Sequence, residues 1–277
     1  MSLGRAGRSK PAPRPRSTEI HSIKPSKSRR RVPAVGLSVI AVLAVTAAAC
    51  GSSGPSEGAL AGKTATGIVS RSVVAFHAQR SVSFVTKTVS GKTTTIESGA
   101  SSRDGSAAEN VTANGSPVIQ AILVDHVAYV RAGAAVLEQA FKLSASVAAA
   151  NAGKWISLKD GDAAYQGVVD TLTPTQAIAQ FVPNDPGLHV AGITSIGGKN
   201  AVAVAGSPDG SVAAGNTGTA TIFVSTAAPY LPLSSTLVVK TPRGETTERI
   251  AAVYGKWNQK VDPIAPKNAT PISSLTT

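Results

Sequence analysis

Cys50 is the only cysteine among 277 residues, and the residues before it set out a lipid-attachment chemistry. It follows Thr46-Ala47-Ala48-Ala49, the end of an apolar stretch from Val32 to Ala49, which itself follows Arg29-Arg30-Arg31. A basic region, an apolar region, small residues and then cysteine is the layout of a bacterial lipoprotein signal. The positive charge stays on the cytoplasmic side while the apolar stretch enters the bilayer. Small side chains let a peptidase reach the backbone before Cys50. The thiol then takes a diacylglyceryl group with palmitate-class chains, and cleavage leaves Cys50 as the mature N-terminus. Two acyl chains suffice for stable anchoring, where one is marginal. The position three before the cysteine is Ala47, where leucine is usual. Two other outcomes use the same residues. Ala47-x-Ala49 also fits an ordinary signal peptidase, and an uncut helix of these 18 residues is about 27 Å long, near the thickness of a bilayer core.

Other chemistry-bearing residues are scattered. His21, His77, His126 and His189 have no metal-ligand spacing with one another or with Cys50. Asp125-His126 reads as a solvated turn and not as a catalytic dyad. Asp160-Gly161-Asp162 starts like a calcium loop, but the later oxygen ligands are missing, so it too reads as a turn. There is no G-x-S-x-G elbow and no phosphate-cradling loop, and Gly197-Gly198-Lys199 joins two strands without opening a helix. No catalytic residue, metal ligand or cofactor is expected, and an enzymatic role is not.

The formal charge of +12 belongs mainly to the targeting segment. Residues 1–31 hold ten basic residues against Glu19 alone, leaving 17 basic and 14 acidic residues for 51–277. The charge orients the signal and marks no nucleic-acid surface. The chain divides into a basic Ser/Pro-rich region (1–31), a signal region (32–49), the lipidated cysteine with a Gly/Ser-rich tether (50–64) and one domain (65–277). Without a second cysteine that domain has no internal disulfide, so burial must stabilise it. Aromatic residues make up only 4% of the chain, so Ala, Val, Ile and Leu do the packing.

The elements follow from periodicity. Ala65 to Arg80 is helical, with Val69, Val73 and Phe76 on one face and Ile68 and Val74 beside it. Ser81 to Val89 and Thr93 to Ile96 are strands about a Gly91-Lys92 turn; Ser98 to Gly105 is ambiguous, and Ala108 to Thr112 is a short strand. Val118–Val124 and Val127–Arg131 form a hairpin about Asp125-His126. Ala134 to Ala150 is helical, with Leu137 and Phe141 on a broad apolar face. Trp155 to Leu158 is a strand, and Thr173-Pro174-Thr175-Gln176 starts a helix over 174–182. Strands then cover Leu188–Ile193, Asn200–Ala205, Gly218–Ser225, Ser234–Lys240 and Glu245–Tyr254. Runs of strands with a few helices imply an α+β fold with a long antiparallel sheet of more than eight strands.

The order of several stretches resembles the LppX/LprG-type actinobacterial lipoproteins, which share a half-barrel with the lipoprotein carrier LolA. These are Val127 to Arg131, Gly153 to Leu158, Val190-Ala191-Gly192 with Gly198 to Val204, Tyr230-Leu231-Pro232-Leu233, and Trp257 to Pro266. The resemblance implies a strongly curved antiparallel sheet, with helices on its concave face and an apolar cavity between them that takes up acyl chains. It implies an acylated lipid or glycolipid as partner and the extracytoplasmic face of the cell membrane as location. The helix faces suggest Val69, Val73, Phe76, Leu137 and Phe141 as cavity contacts, in a pocket lined by aliphatic side chains without clustered acids or bases. The same faces could seal an ordinary core. The other reading is therefore an envelope interaction or sensor protein with a small or closed cavity.

Overall fold

Thr64 starts the first helix by accepting a hydrogen bond on its side-chain oxygen from the Gly67 N–H at 3.1 Å. This helix, α1 (Ala65–His77), buries Ile68, Val69, Ser72, Ala75 and Phe76, the spacing that one helical face requires. Val73 is partly buried at the edge of that face, and Val74 points away at 69% exposure. The computed structural model describes residues 56–173, 183–208, 212 and 215–275, with the side chains of 184–186 set aside. The basic region, the apolar stretch, Cys50, the start of the tether and the expected helix over 174–182 lie outside the described residues.

Five strands follow α1: β1 (Ser81–Ser90), β2 (Thr93–Ser102), β3 (Ala107–Ala113), β4 (Ser116–Val124) and β5 (Val127–Ala132). The ambiguous segment after Ser98 is thus strand as far as Ser102. Asp125 and His126 take φ of 51° and 59°, the left-handed pair of a tight two-residue hairpin. Two short helices come next, α2 (Ala134–Phe141) and α3 (Ala145–Asn151). The single helix expected over 134–150 is broken at Lys142, which adopts φ 56° and donates its N–H to the Leu137 carbonyl. The break brings Leu143 into the same core as Leu137 and Phe141.

Then come β6 (Trp155–Leu158) and α4 (Tyr165–Thr171), a helix that the sequence reading does not contain. The remaining strands are β7 (Asn184–Ile196), β8 (Lys199–Ser207), β9 (Thr217–Ser225), β10 (Pro232–Lys240), β11 (Thr246–Gly255) and β12 (Thr270–Pro271).

All twelve strands join in one sheet, ordered β12-β6-β5-β4-β3-β2-β1-β11-β10-β9-β8-β7. Every pairing is antiparallel except that of β12 with β6. The expected antiparallel sheet is therefore found as a mostly antiparallel one, mixed by this single parallel pairing. The strong curvature is corrected, because the sheet is not strongly curled. Its edges β7 and β12 do not pair, so no closure imposes the tilt and stagger of a barrel.

Register shows which residues share a face. Tyr254, Phe84, Gly99, Glu109, Ala121, Val130 and Ile156 lie opposite one another in turn across β11, β1, β2, β3, β4, β5 and β6. Ala252, Thr86, Glu97, Val111, Ile119 and Ala132 form the next row on the same face. All four helices pack on this face, but in two groups. One core cluster joins α1 to Val202, Val204, Ile222, Val224, Leu237 and Tyr254, among others. The other joins α2, α3 and α4 to Ala121, Leu123, Val130, Ile156 and Leu158, among others. Leu60 is 1% exposed within the first cluster, so ordered packing begins before Ala65, inside the segment read as a tether. Both clusters and all twelve strands belong to one compact unit, Gly51–Thr277, which carries its own cores and is therefore the folding unit.

Candidate functional site

The two core clusters leave a cavity between them. Its volume is about 840 Å³, within the range of ligand sites. Its floor is the helix-bearing face of β1 to β5: Phe84, Thr86, Glu97, Glu109, Ile119, Ala121 and Val130. Val136, Ala140 and Phe141 of α2 form one wall. Ala163, Gly167, Asp170 and Thr171 stand at a solvent-exposed rim around α4.

Each part is placed for a local reason. Gly99 lies opposite Phe84, and a Cβ there would come within 2.8 Å of the Phe84 ring and 2.9 Å of the Ala108 carbonyl oxygen. The missing side chain is what leaves room for the ring against β2. The helix α4 is tied down by Tyr165, whose hydroxyl donates to the His126 carbonyl at 3.0 Å, joining the rim to the β4–β5 turn. Ser101 donates its hydroxyl to the Leu172 carbonyl at 2.5 Å, holding the end of α4 against β2.

The lining divides along the strand order. Over β4 and β5 and under α2 it is apolar: Ile119, Ala121, Val130, Val136 and Phe141. Over β1 to β3 it carries Thr86, Glu97 and Glu109. The two glutamates are diagonal neighbours, since Glu97 faces Val111 and Glu109 faces Gly99. That relation separates their backbones by about 7–8 Å. Neither has a basic partner among the described residues. Burial raises the Glu97 carboxyl above its ordinary range. Burial and then the charge of Glu97 push Glu109 up to about 7. Thr86, between Glu97 and Ala252 in the same row, is only 6% exposed. Among the described residues, no lysine or arginine lines the cavity.

The pocket expected to lack clustered acids therefore contains two, and the sequence analysis did not single out either. Ile96 obscured them. As the apolar member of Thr93 to Glu97 it suggests an inward position, yet it is 38% exposed on the opposite face while Glu97 points inward.

The residues proposed from helix faces are distributed differently. Phe141 lines the cavity, and Leu137, at 0% exposure, lies in the cluster behind it. Val69, Val73 and Phe76 pack over the other half of the sheet. Phe76 also lines a smaller cavity of about 400 Å³ with Val82, Leu123, Leu172 and Trp257. The remaining chemistry-bearing residues act as structure. The Asp162 carboxylate accepts from the Lys159 N–H at 2.7 Å and closes the Asp160-Gly161-Asp162 turn. The His77 ring stands edge-on to Phe76. Among the described residues, no group of three or more His, Cys, Asp or Glu is placed to hold a metal ion. Nor is any described helix long and apolar enough to cross a membrane.

Fold and site together define an α+β protein with an open twelve-stranded sheet, its helices on one face and a cavity beneath them. The chain is structurally similar to the LppX lipoprotein of Mycobacterium tuberculosis, at 14% identity and TM-score 0.46, over 72% of this chain and 97% of that one. It is also similar to LprF of Mycobacterium bovis, at 13% identity and TM-score 0.44, over 74% and 97%. A LolA superfamily protein of Nitrosomonas europaea aligns at 8% identity and TM-score 0.28, over 72% and 95%. No protein-family model matches the sequence, and no curated protein matches it.

Proposed function

We propose that this chain is an extracytoplasmic lipoprotein, anchored through diacylated Cys50, that binds an acylated lipid or glycolipid between sheet and helices and carries or presents it. The observation that supports this most is the cavity of about 840 Å³, with its apolar half over β4, β5 and α2. An acyl chain laid against Ile119, Ala121, Val130, Val136 and Phe141 leaves water for an apolar surface. About ten buried methylenes contribute roughly 8 kcal/mol. That exceeds the lower estimates of the cost of association, about 4 kcal/mol. Recognition of this kind needs no cofactor and no reacting group. A volume of about 840 Å³ supports this reading over that of an interaction or sensor protein with a small or closed cavity.

The test is saturable binding of dioleoylglycerol to the Gly51–Thr277 unit, compared with Ala121→Phe. Ala121 is 6% exposed on the cavity floor, so the larger ring projects into the space. Wild type should bind, and the folded variant should bind about tenfold more weakly. Equal binding by both would place the lipid elsewhere, and no binding by wild type would remove the proposal.

A further inference from the structure

Within the cavity, one half is polar in a way that acyl-chain burial does not explain. Thr86 of β1 lies directly opposite Glu97 of β2, and Glu109 of β3 is the next polar residue across the floor. Thr86 is 6% exposed and lines the cavity beside the two carboxylates. Its hydroxyl borders the cavity space, so it can accept a hydrogen bond from a polar group that enters there. The two carboxylates beside it have no cation to balance them among the described residues. Their only acidic company on the facing elements is Asp170 of α4, whose carboxylate accepts from the Gln166 amide at 2.7 Å.

We propose that Thr86, Glu97 and Glu109 form a head-group site for a lipid whose polar end donates hydrogen bonds and is not anionic, with its chains over β4, β5 and α2. This deepens the lipid-binding reading and rests on it. The selection is electrostatic. Hydroxyl or ammonium hydrogens meet acceptors on Thr86, Glu97 and Glu109, whereas a phosphate would bring like charge to desolvated carboxylates with no lysine or arginine in the lining. The raised proton affinity of Glu109 agrees with this arrangement, since an uncharged carboxyl can also donate to a sugar hydroxyl.

Two head groups share the required chemistry, a neutral hexose and a primary amine. The experiment therefore uses three lipids with the same dioleoyl chains, bearing a hexose, a primary amine or a phosphate (phosphatidic acid). Binding to the Gly51–Thr277 unit is measured at about pH 8, above the value of about 7 to which Glu109 is pushed up. The hexosyl and amine lipids should bind, and phosphatidic acid should bind about tenfold more weakly or worse, because like charges across an interface cost several kcal/mol. The ratio of the first two affinities identifies the source of the donor. The Glu97→Gln/Glu109→Gln protein, checked for folding by circular dichroism, should bring phosphatidic acid to within about threefold of the hexosyl lipid. Equal or tighter binding of phosphatidic acid by wild type overturns the head-group site and leaves the acyl cavity standing. An unchanged ratio in the folded double variant does the same. Failure of all three lipids to bind overturns both proposals together.

Discussion

Glu109 should make this protein lose stability as pH rises through neutrality. Its carboxyl titrates near 7 in the folded chain against an ordinary 4.5, because it is desolvated and faces Glu97. The folded state therefore holds a proton more tightly than the unfolded state does. Where the native state binds more protons, stability falls with increasing pH. The contribution is complete below about 4.5 and is lost as pH passes through about 7. A displacement of that size corresponds to about 3 kcal/mol at most. Solvent reaching the carboxylate through the cavity mouth screens it, so about 1–2 kcal/mol is expected. Glu97 is shifted in the same direction and adds to the slope. Asp104 is shifted downward by its hydrogen bonds to Ser102 and Ser106, so its window lies below 3.8 and does not interfere. Burial raises Tyr254, which places its window far above neutrality.

The assay is urea unfolding of the Gly51–Thr277 unit between about pH 5 and 8, followed by tryptophan fluorescence. Wild type should lose stability across that interval, and Glu109→Gln should lose less and be the more stable protein at the upper end. Glu97→Gln should flatten the curve in part, because it removes the charge that raises Glu109. If wild type and Glu109→Gln run parallel, or the variant is weaker at pH 8, the electrostatic reading of the cavity floor is wrong.

Three further outcomes can be checked. Gly99→Ala should destabilise the unit by about 1–3 kcal/mol in thermal or urea unfolding, since its Cβ would strike the Phe84 ring and the Ala108 carbonyl; unchanged stability would refute the close approach. Ser72→Ala should be neutral or stabilising by about 1 kcal/mol, because the Ser72 hydroxyl is fully buried without a partner; a clear loss of stability would reveal a hydrogen bond there. Cys50→Ala should move the protein out of the membrane fraction and abolish acyl addition. An intact mass of native protein that retains residues 1–49 without acyl chains would refute lipidation.

Legibility in the sequence followed local determination. The face of α1 was readable because Ile68, Val69 and Phe76 repeat at helical spacing, and the β4–β5 hairpin because two left-handed residues separate two β-rich runs. The break at Lys142 was not readable. Residues 134–150 are Ala-rich and their pattern suggests one helix, whereas the chain turns left-handed at Lys142 and buries Leu143 in the tertiary core. The short helix α4 spans seven residues including Gly167 and owes its position to Tyr165 and the His126 carbonyl. The faces of β1 and β2 were undetermined because both carry apolar residues. Val82 and Phe84 lie on the helix side, while Val85 and Ile96 lie on the other. Pairing register settles the choice, and it placed Glu97 and Glu109 in the cavity. The parallel β12 comes from a long-range return of the chain with only two paired residues.

The central claim is that the space between sheet and helices holds a lipid. The most direct measurement is native mass spectrometry of the Gly51–Thr277 unit, exported and purified without detergent, followed by solvent extraction of whatever is bound. The account predicts a discrete adduct with acyl-chain mass that is lost in Ala121→Phe and whose polar end carries no phosphate. The bare protein mass alone, with nothing extractable and no uptake of added dioleoyl lipid, would contradict it.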